Sequence, residues 1–296
     1  MRNRHIPAML AVTVIAACGP DVGEIERTGP ATPAAEGTRP ASLFVDAFTP
    51  DAGQLVFVAQ EDYRDAFPGA VFVPLSIFSV ERDGIPNEFP PADSIAAMLE
   101  AAGAHADRFL IVGEPIPAGR AYAAFDYIGL GDRAALLDGG PAALPPGGAP
   151  AARAAAGTGL PFSVREDMIV DASWVHSRLN DPAVAILDAR PPAEFSGETP
   201  GDGIARPGHI PGARNVFWQS LVHPVDNRLK DDGELRRMFE AAGVGPGVTV
   251  VAYCRTGGQG SFLYTVARHL GYDVRLYDGS YVDWSRTEYP VERGNR

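Results

Sequence analysis

Between residues 184 and 277, short apolar runs alternate with helical stripes. Residues 184–189 and 248–253 (Val-Thr-Val-Val-Ala-Tyr) are dense apolar stretches without polar alternation, and 274–277 is a shorter one. That pattern predicts strands buried on both faces. Residues 232–242 place Leu235, Met238, Phe239 and Ala242 on one helical face and stop at Gly243. Residues 261–270 do the same with Phe262, Leu263, Val266 and Leu270. Strands alternating with helices predict an α/β fold on a mostly parallel sheet covered by helices on both faces. Ligands in such folds sit at the carboxyl ends of the strands.

The first half of the chain repeats this unit. Leu130-Gly131 leads to Asp138-Gly139 as Leu270-Gly271 leads to Asp278-Gly279. Pro68-Gly69-Ala70 precedes Val71-Phe72-Val73 as Pro211-Gly212-Ala213 precedes Val216-Phe217-Trp218. Aligned on the two Asp-Gly pairs, residues 109–114 lie over 249–254, so Glu114 stands where Cys254 stands. Pro115 and Pro117 follow Glu114 and remove backbone N–H donors from that loop.

Two stretches read as connectors rather than fold. Residues 19–41 are rich in Pro, Ala, Gly, Thr and Glu, and 141–161 carry Pro-Gly and Ala runs. They divide the chain into copies at 42–140 and 162–296, each of ordinary domain size. Residues 1–18 read as a lipoprotein signal peptide: Arg2 and Arg4, an apolar run over 6–17, then Ala16-Ala17-Cys18. On this reading Cys18 is lipidated and anchors the chain on the periplasmic side of the outer or inner membrane, Gly19 favouring the outer. The other reading is an ordinary signal peptide cut near Ala17.

The net charge is −12, from 25 basic and 37 acidic residues. With no basic stripe, nucleic acid is not an expected partner, and neither is an anionic lipid surface bound by charge. Local arginines still allow a small anionic substrate.

The chemistry concentrates at Cys254, which ends the 248–253 run and opens Arg255-Thr256-Gly257-Gly258-Gln259-Gly260 ahead of a helix. A strand turning through glycines into a helix N-terminus aims several backbone N–H groups at one point. A sulfur there is expected to favour its thiolate and to act as a nucleophile. The chain has two cysteines. With Cys18 acylated, Cys254 is the only thiol left. The histidines show no metal-ligand spacing with cysteines.

Asp188-Ala189-Arg190, Gly208-His209-Ile210-Pro211-Gly212-Ala213, the 254–259 loop, and Asp278-Gly279-Ser280 with Trp284 together resemble the two-domain rhodanese sulfurtransferases. The resemblance spans roughly 43–294, strong in the second copy and weak in the first. It implies two tandem rhodanese-like domains, the first inactive and the second catalytic, with no metal or organic cofactor required. It also implies a Cys254 persulfide that takes a sulfane sulfur from a small anionic donor and passes it to cyanide or a thiol, with ping-pong kinetics.

In this resemblance Arg190 is the donor-binding arginine, with Arg255, Thr256, Gly257, Gly258, Gln259 and Arg206 as further substrate-binding residues. Gly201 stands where the 3-mercaptopyruvate branch has a second arginine, for which Arg206 is a nearby substitute. Thr256 is the residue type of that branch, yet the stretch 71–76 lacks the aspartate the branch draws from its first domain. Two donors stay open, thiosulfate first and 3-mercaptopyruvate second. His209 and Asp278-Gly279 read as turn-forming, and Trp284 as packing.

A tyrosine-phosphatase loop needs an arginine six positions after its cysteine, where this chain has Gly260. A persulfide carrier without turnover uses the same loop as an enzyme and stays open beside it, as does a scaffold whose thiol is incidental. The oligomeric state is not legible.

Overall fold

The computed structural model describes residues 42–46, 53–67, 69–144 and 160–294. The signal peptide, Cys18, the tether and linker residues 145–159 lie outside the described residues.

In the first copy the strands are Phe44–Val45 (β1), Gln54–Val58 (β2), Val71–Val73 (β3), Val80–Arg82 (β4), Ile85–Glu88 (β5), Phe109–Val112 (β6) and Ala134–Leu137 (β7). Its helices are Ala92–Ala101 (α1) and Pro115–Tyr127 (α2). In the second copy the strands are Ile169–Val170 (β8), Val184–Asp188 (β9), Arg214–Asn215 (β10), Thr249–Tyr253 (β11) and Val274–Tyr277 (β12). Its helices are Ala172–His176 (α3), Pro192–Phe195 (α4), Asp232–Ala241 (α5), Gly258–His269 (α6) and Ser280–Trp284 (α7).

The repeat is present in the topology. One sheet runs β1-β7-β6-β2-β3 and the other β8-β12-β11-β9-β10, all pairs parallel. The central register is shared too: Gln54 faces Phe109 in one, and Val184 faces Thr249 in the other. β6 is buried along its whole length and β11 after its first residue, as the unalternating apolar runs require. β4 and β5 form a separate antiparallel hairpin.

Helices α2 and α6 join the copies. A Cβ on Gly119 would lie 2.7 Å from the Phe262 Cα, so only glycine lets these backbones come so close. Beside that contact, Asp126 of α2 is buried and accepts from the Tyr264 hydroxyl at 2.6 Å and from Arg268 Nε at 2.9 Å. Arg165 Nη1 adds an ion pair at 2.7 Å. A buried carboxylate costs several kcal/mol unless paired and hydrogen-bonded. Here the partners come from the other copy and from the segment leading into it, so the pairing fixes how the copies meet.

Candidate active site

Cys254 follows β11 at the carboxyl edge of the second sheet and is 2 % exposed. The helix after it begins at Gly258, earlier than the apolar periodicity predicts, because Gly257 (φ 90°) turns the chain straight into α6. Gly260 packs on the end of β11, where a Cβ would come 3.0 Å from the Tyr253 carbonyl carbon. Periodicity cannot register a helical turn made of Gly-Gln-Gly, since it has no apolar stripe.

The turn after β12 holds the cysteine from behind. The Cys254 N–H donates to Ser280 Oγ at 3.2 Å, and the Cys254 carbonyl accepts from the Tyr281 N–H at 2.9 Å. Backbone N–H groups of Gly260, Thr256 and Gly257 point at the sulfur. The expected amide cradle is present, but the expected thiolate preference is not. Burial pushes the thiol above its ordinary range, and the three amides pull it down by less. Alkylation of Cys254 by iodoacetamide is therefore expected to keep accelerating with pH through pH ~9, with no plateau in the neutral range, since only the thiolate reacts. Rates measured on the Cys254 peptide across pH 6–10 check this, and a plateau below pH 8 contradicts it.

The thiol opens on a cavity of about 220 Å³ between the copies. Its walls carry Arg255, Thr256, Gly258 and Gln259 from the second copy, and Asn87, Ile116 and Arg120 from the first. A larger cleft of about 680 Å³, bounded by Glu88, Trp174 and Asp283, is not lined by Cys254.

Asn87 and Arg120 carry no signal that the sequence reading used. Asn87 donates from Nδ2 to Thr256 Oγ1 at 3.1 Å. Arg120 is 1 % exposed and pairs with the buried Asp278 carboxylate. Its Nε donates to the Phe78 carbonyl at 3.1 Å and its Nη1 to Ser261 Oγ at 3.2 Å, while Nη2 donates to the Asn87 carbonyl. The guanidinium also stacks on Phe89, 3.6 Å from the ring centre. Asp278 accepts from the Phe89 N–H at 2.5 Å as well, so the expected turn residue is also a tie between the copies. One clue was available: Arg120 is the only charged residue in the Ala-rich stretch 115–125, where a cation needs a reason.

The predicted arginines separate. Arg190 is fully buried, and its Nε and Nη2 hold the Asp188 carboxylate at 2.6–3.0 Å. Its Nη2 also donates to the Gly208 carbonyl at 2.9 Å, and the guanidinium lies 4.0 Å from the Tyr281 ring centre. Burial alone lowers its pKa, and Asp188 more than offsets this. Arg190 does not line the cavity, which corrects its expected role as donor-binding residue: the strand-end carboxylate two positions earlier captures it. Arg206 is corrected likewise, since it donates to the carbonyls of Trp284, Ser285 and Thr287 at 2.5–3.2 Å.

Arg255 does face the cavity, paired with the buried Glu194, with Nε to Oε2 at 3.0 Å. A Cβ on Gly201 would fall 3.0 Å from Glu194 and 3.2 Å from Arg255, so this pair occupies the space a side chain at 201 would need. Gly257 lies behind the loop, where a Cβ would meet Asp278 and Arg120 at 2.9–3.1 Å.

His209 locks its turn. Its ring stacks on Phe195 at 3.8 Å and its Nδ1 lies 2.8 Å from the Phe195 carbonyl, while burial lowers its pKa. Trp284 is buried and donates to the Pro290 carbonyl at 2.9 Å. Glu114 sits at the N-cap position of α2 without a side-chain capping bond and accepts from Asn227 Nδ2 at 3.0 Å.

Comparison with known proteins is consistent in direction. The family described as rhodanese-like domain matches residues 171–287. The 3-mercaptopyruvate sulfurtransferase of Escherichia coli (strain K12) is 30 % identical over 256 residues, covering 79 % of this chain and 86 % of that one. A putative thiosulfate sulfurtransferase of Synechococcus elongatus is 42 % identical over 120 residues, which is 36 % of either chain. The crystal structure of YnjE superposes with a TM-score of 0.69 at 24 % identity, over 82 % of this chain and 63 % of that one, a likeness of fold.

Proposed function

Because the chain belongs to the rhodanese sulfurtransferase family, we propose that it moves a sulfane sulfur from thiosulfate to cyanide or a thiol through a persulfide on Cys254. The observation that carries this reading is the Cys254 sulfur facing three backbone N–H groups in the wall of a small cavity. Cys254 attacks the outer sulfur of thiosulfate as its thiolate, its proton passing to a sulfonate oxygen of the donor. An S–S bond forms to Cys254 as the sulfur–sulfonate S–S bond breaks, and the thiol proton leaves with the departing sulfite as hydrogensulfite. The product is Cys254–S–S⁻, whose charge the amides of Thr256, Gly257 and Gly260 stabilise. Cyanide then takes the outer sulfur as thiocyanate and leaves the Cys254 thiolate. The buried resting thiol is stabilised against ionising until a donor arrives.

A second donor, 3-mercaptopyruvate, is favoured by the E. coli relative, whose alignment spans both copies. Of the arginines singled out in the sequence, Arg255 faces the cavity and can meet either anion, while Arg190 and Arg206 do not; Arg120, also in the cavity wall, is held by Asp278. Steady-state turnover of the full chain with each donor separates them. Thiosulfate is expected to give the higher kcat/KM, and the reverse order assigns 3-mercaptopyruvate. Stoichiometric labelling of Cys254 without turnover on either donor supports the carrier reading, a role borne by the name of the Thermus thermophilus relative called a sulfur carrier protein, 37 % identical over 119 residues.

We place this activity at the cell envelope, tethered through a lipid on Cys18, on the strength of the apolar run ending in Ala16-Ala17-Cys18. Mass spectrometry of the mature N-terminal peptide tests it: a diacylated Cys18 is expected, and an unmodified N-terminus near residue 18 overturns it.

A further inference from the structure

We propose that Asn87, in the copy without a thiol, is a positioning residue that fixes the Thr256 hydroxyl as a hydrogen-bond donor into the Cys254 cavity. The first copy thereby sets the preference of the second for small anions. This assignment rests on the reading of Cys254 as the reacting group.

A hydroxyl has one proton to give and lone pairs to accept with. Thr256 Oγ1 accepts from Asn87 Nδ2 at 3.1 Å, so its own proton is left for another acceptor. Thr256 and Cys254 line the same cavity, and the Thr256 N–H already points at the sulfur. An anionic donor, or the outer sulfur of a persulfide, is the acceptor that this proton suits.

Asn87 is held to this task. Its φ of 61° lies in the left-handed region that asparagine tolerates, and its carbonyl is gripped by Arg120. Arg120 is itself anchored on Phe78, Ser261 and Asp278.

The repeat supplies an internal comparison for the direction of the amide. Asn227 occupies the position corresponding to Asn87 when the copies are aligned on their Asp-Gly pairs, and its φ is 57°. Its Nδ2 donates to Glu114 Oε2 at 3.0 Å, and a carboxylate oxygen only accepts. The neighbouring contacts mirror each other as well. Phe89 N–H donates to Asp278 Oδ2 at 2.5 Å, and Leu229 N–H donates to Asp138 Oδ1 at 2.7 Å. Each copy thus sends an asparagine-bearing arm onto the loop of the other. Beside Asn227 the cavity measures only about 20 Å³ and is not lined by Glu114, whereas Asn87 and Cys254 share one of about 220 Å³.

The test is the anion preference of Cys254 in the full chain, read as the ratio of its alkylation rates with iodoacetate and iodoacetamide, followed on the Cys254 peptide. The two reagents are similar in size and differ in charge. The ratio needs no sulfur transfer, so a wild-type protein without turnover refutes the proposed function and still leaves Asn87 measurable. In Asn87→Asp the new carboxylate accepts the Thr256 proton, and the ratio is expected to fall about 10-fold, the size of one charge-assisted hydrogen bond reversed. In a Thr256→Val background the same substitution is expected to change the ratio by less than about 3-fold, because the hydroxyl that transmits the effect is gone. An unchanged ratio in Asn87→Asp overturns the proposal. So does an equal fall in both backgrounds, which would show added charge acting alone. Any change in the thiolate itself acts on both reagents and cancels in the ratio; faster reaction with both reagents would mean an opened loop and would also overturn it.

Discussion

Cys254→Ser is expected to lower sulfur transfer by more than about 10⁴-fold with either donor, as removal of a covalent nucleophile does elsewhere. Serine keeps the volume and a hydrogen-bonding atom, so the amides of Thr256, Gly257 and Gly260 still have a partner and the fold should hold. No group can stand in. The corresponding residue of the first copy is Glu114, a carboxylate that accepts from Asn227 and offers no sulfur. Cys254 is the only cysteine among the described residues. Two measurements check the result: thiocyanate production in the steady state, and the mass of the Cys254 peptide after thiosulfate, which should gain one sulfur atom in wild type and none in the variant. Residual turnover within about 10-fold of wild type would remove Cys254 from the chemistry and leave the scaffold reading.

Much of this site was legible because its determinants are local. The apolar run into Cys254, the glycines after it and the Asp278-Gly279-Ser280 turn are short-range signals, and each falls where a strand ends. The repeat was legible because both copies keep their spacing around Asp138 and Asp278. What the chain hid is what comes from the other copy. Asn87 reaches Thr256, and Arg120 reaches Asp278, across long stretches of sequence, and no periodicity links them. The state of the thiol was misread for a related reason. The amides are a local property of the loop, whereas the burial that outweighs them is set by the surrounding fold. Arg190 was misread because a strand-end arginine looks the same in sequence whether it serves a ligand or the carboxylate two residues before it.

Arg190 therefore yields the other large expected effect, on stability rather than binding. In Arg190→Met the Asp188 carboxylate is left buried without its cation, and the loss of one partner from such a pair costs about 3–5 kcal/mol. The urea midpoint should fall accordingly with an unchanged m-value. Adding Asp188→Asn removes the stranded charge, so the double variant should recover part of the loss, with the coupling between the two sites given by the cycle. The folded fraction of Arg190→Met should keep a donor KM within about 3-fold of wild type, because the guanidinium does not line the cavity. A donor-binding arginine predicts the opposite pair of results: an unchanged urea midpoint and a KM raised 10-fold or more, the effect of losing one charge-assisted contact of about 1.5–3 kcal/mol. The two measurements on one protein thus decide whether Arg190 holds the floor of the site or its substrate, and the Asp188 carboxylate held by a guanidinium that lies over Tyr253 and Tyr281 argues for the floor.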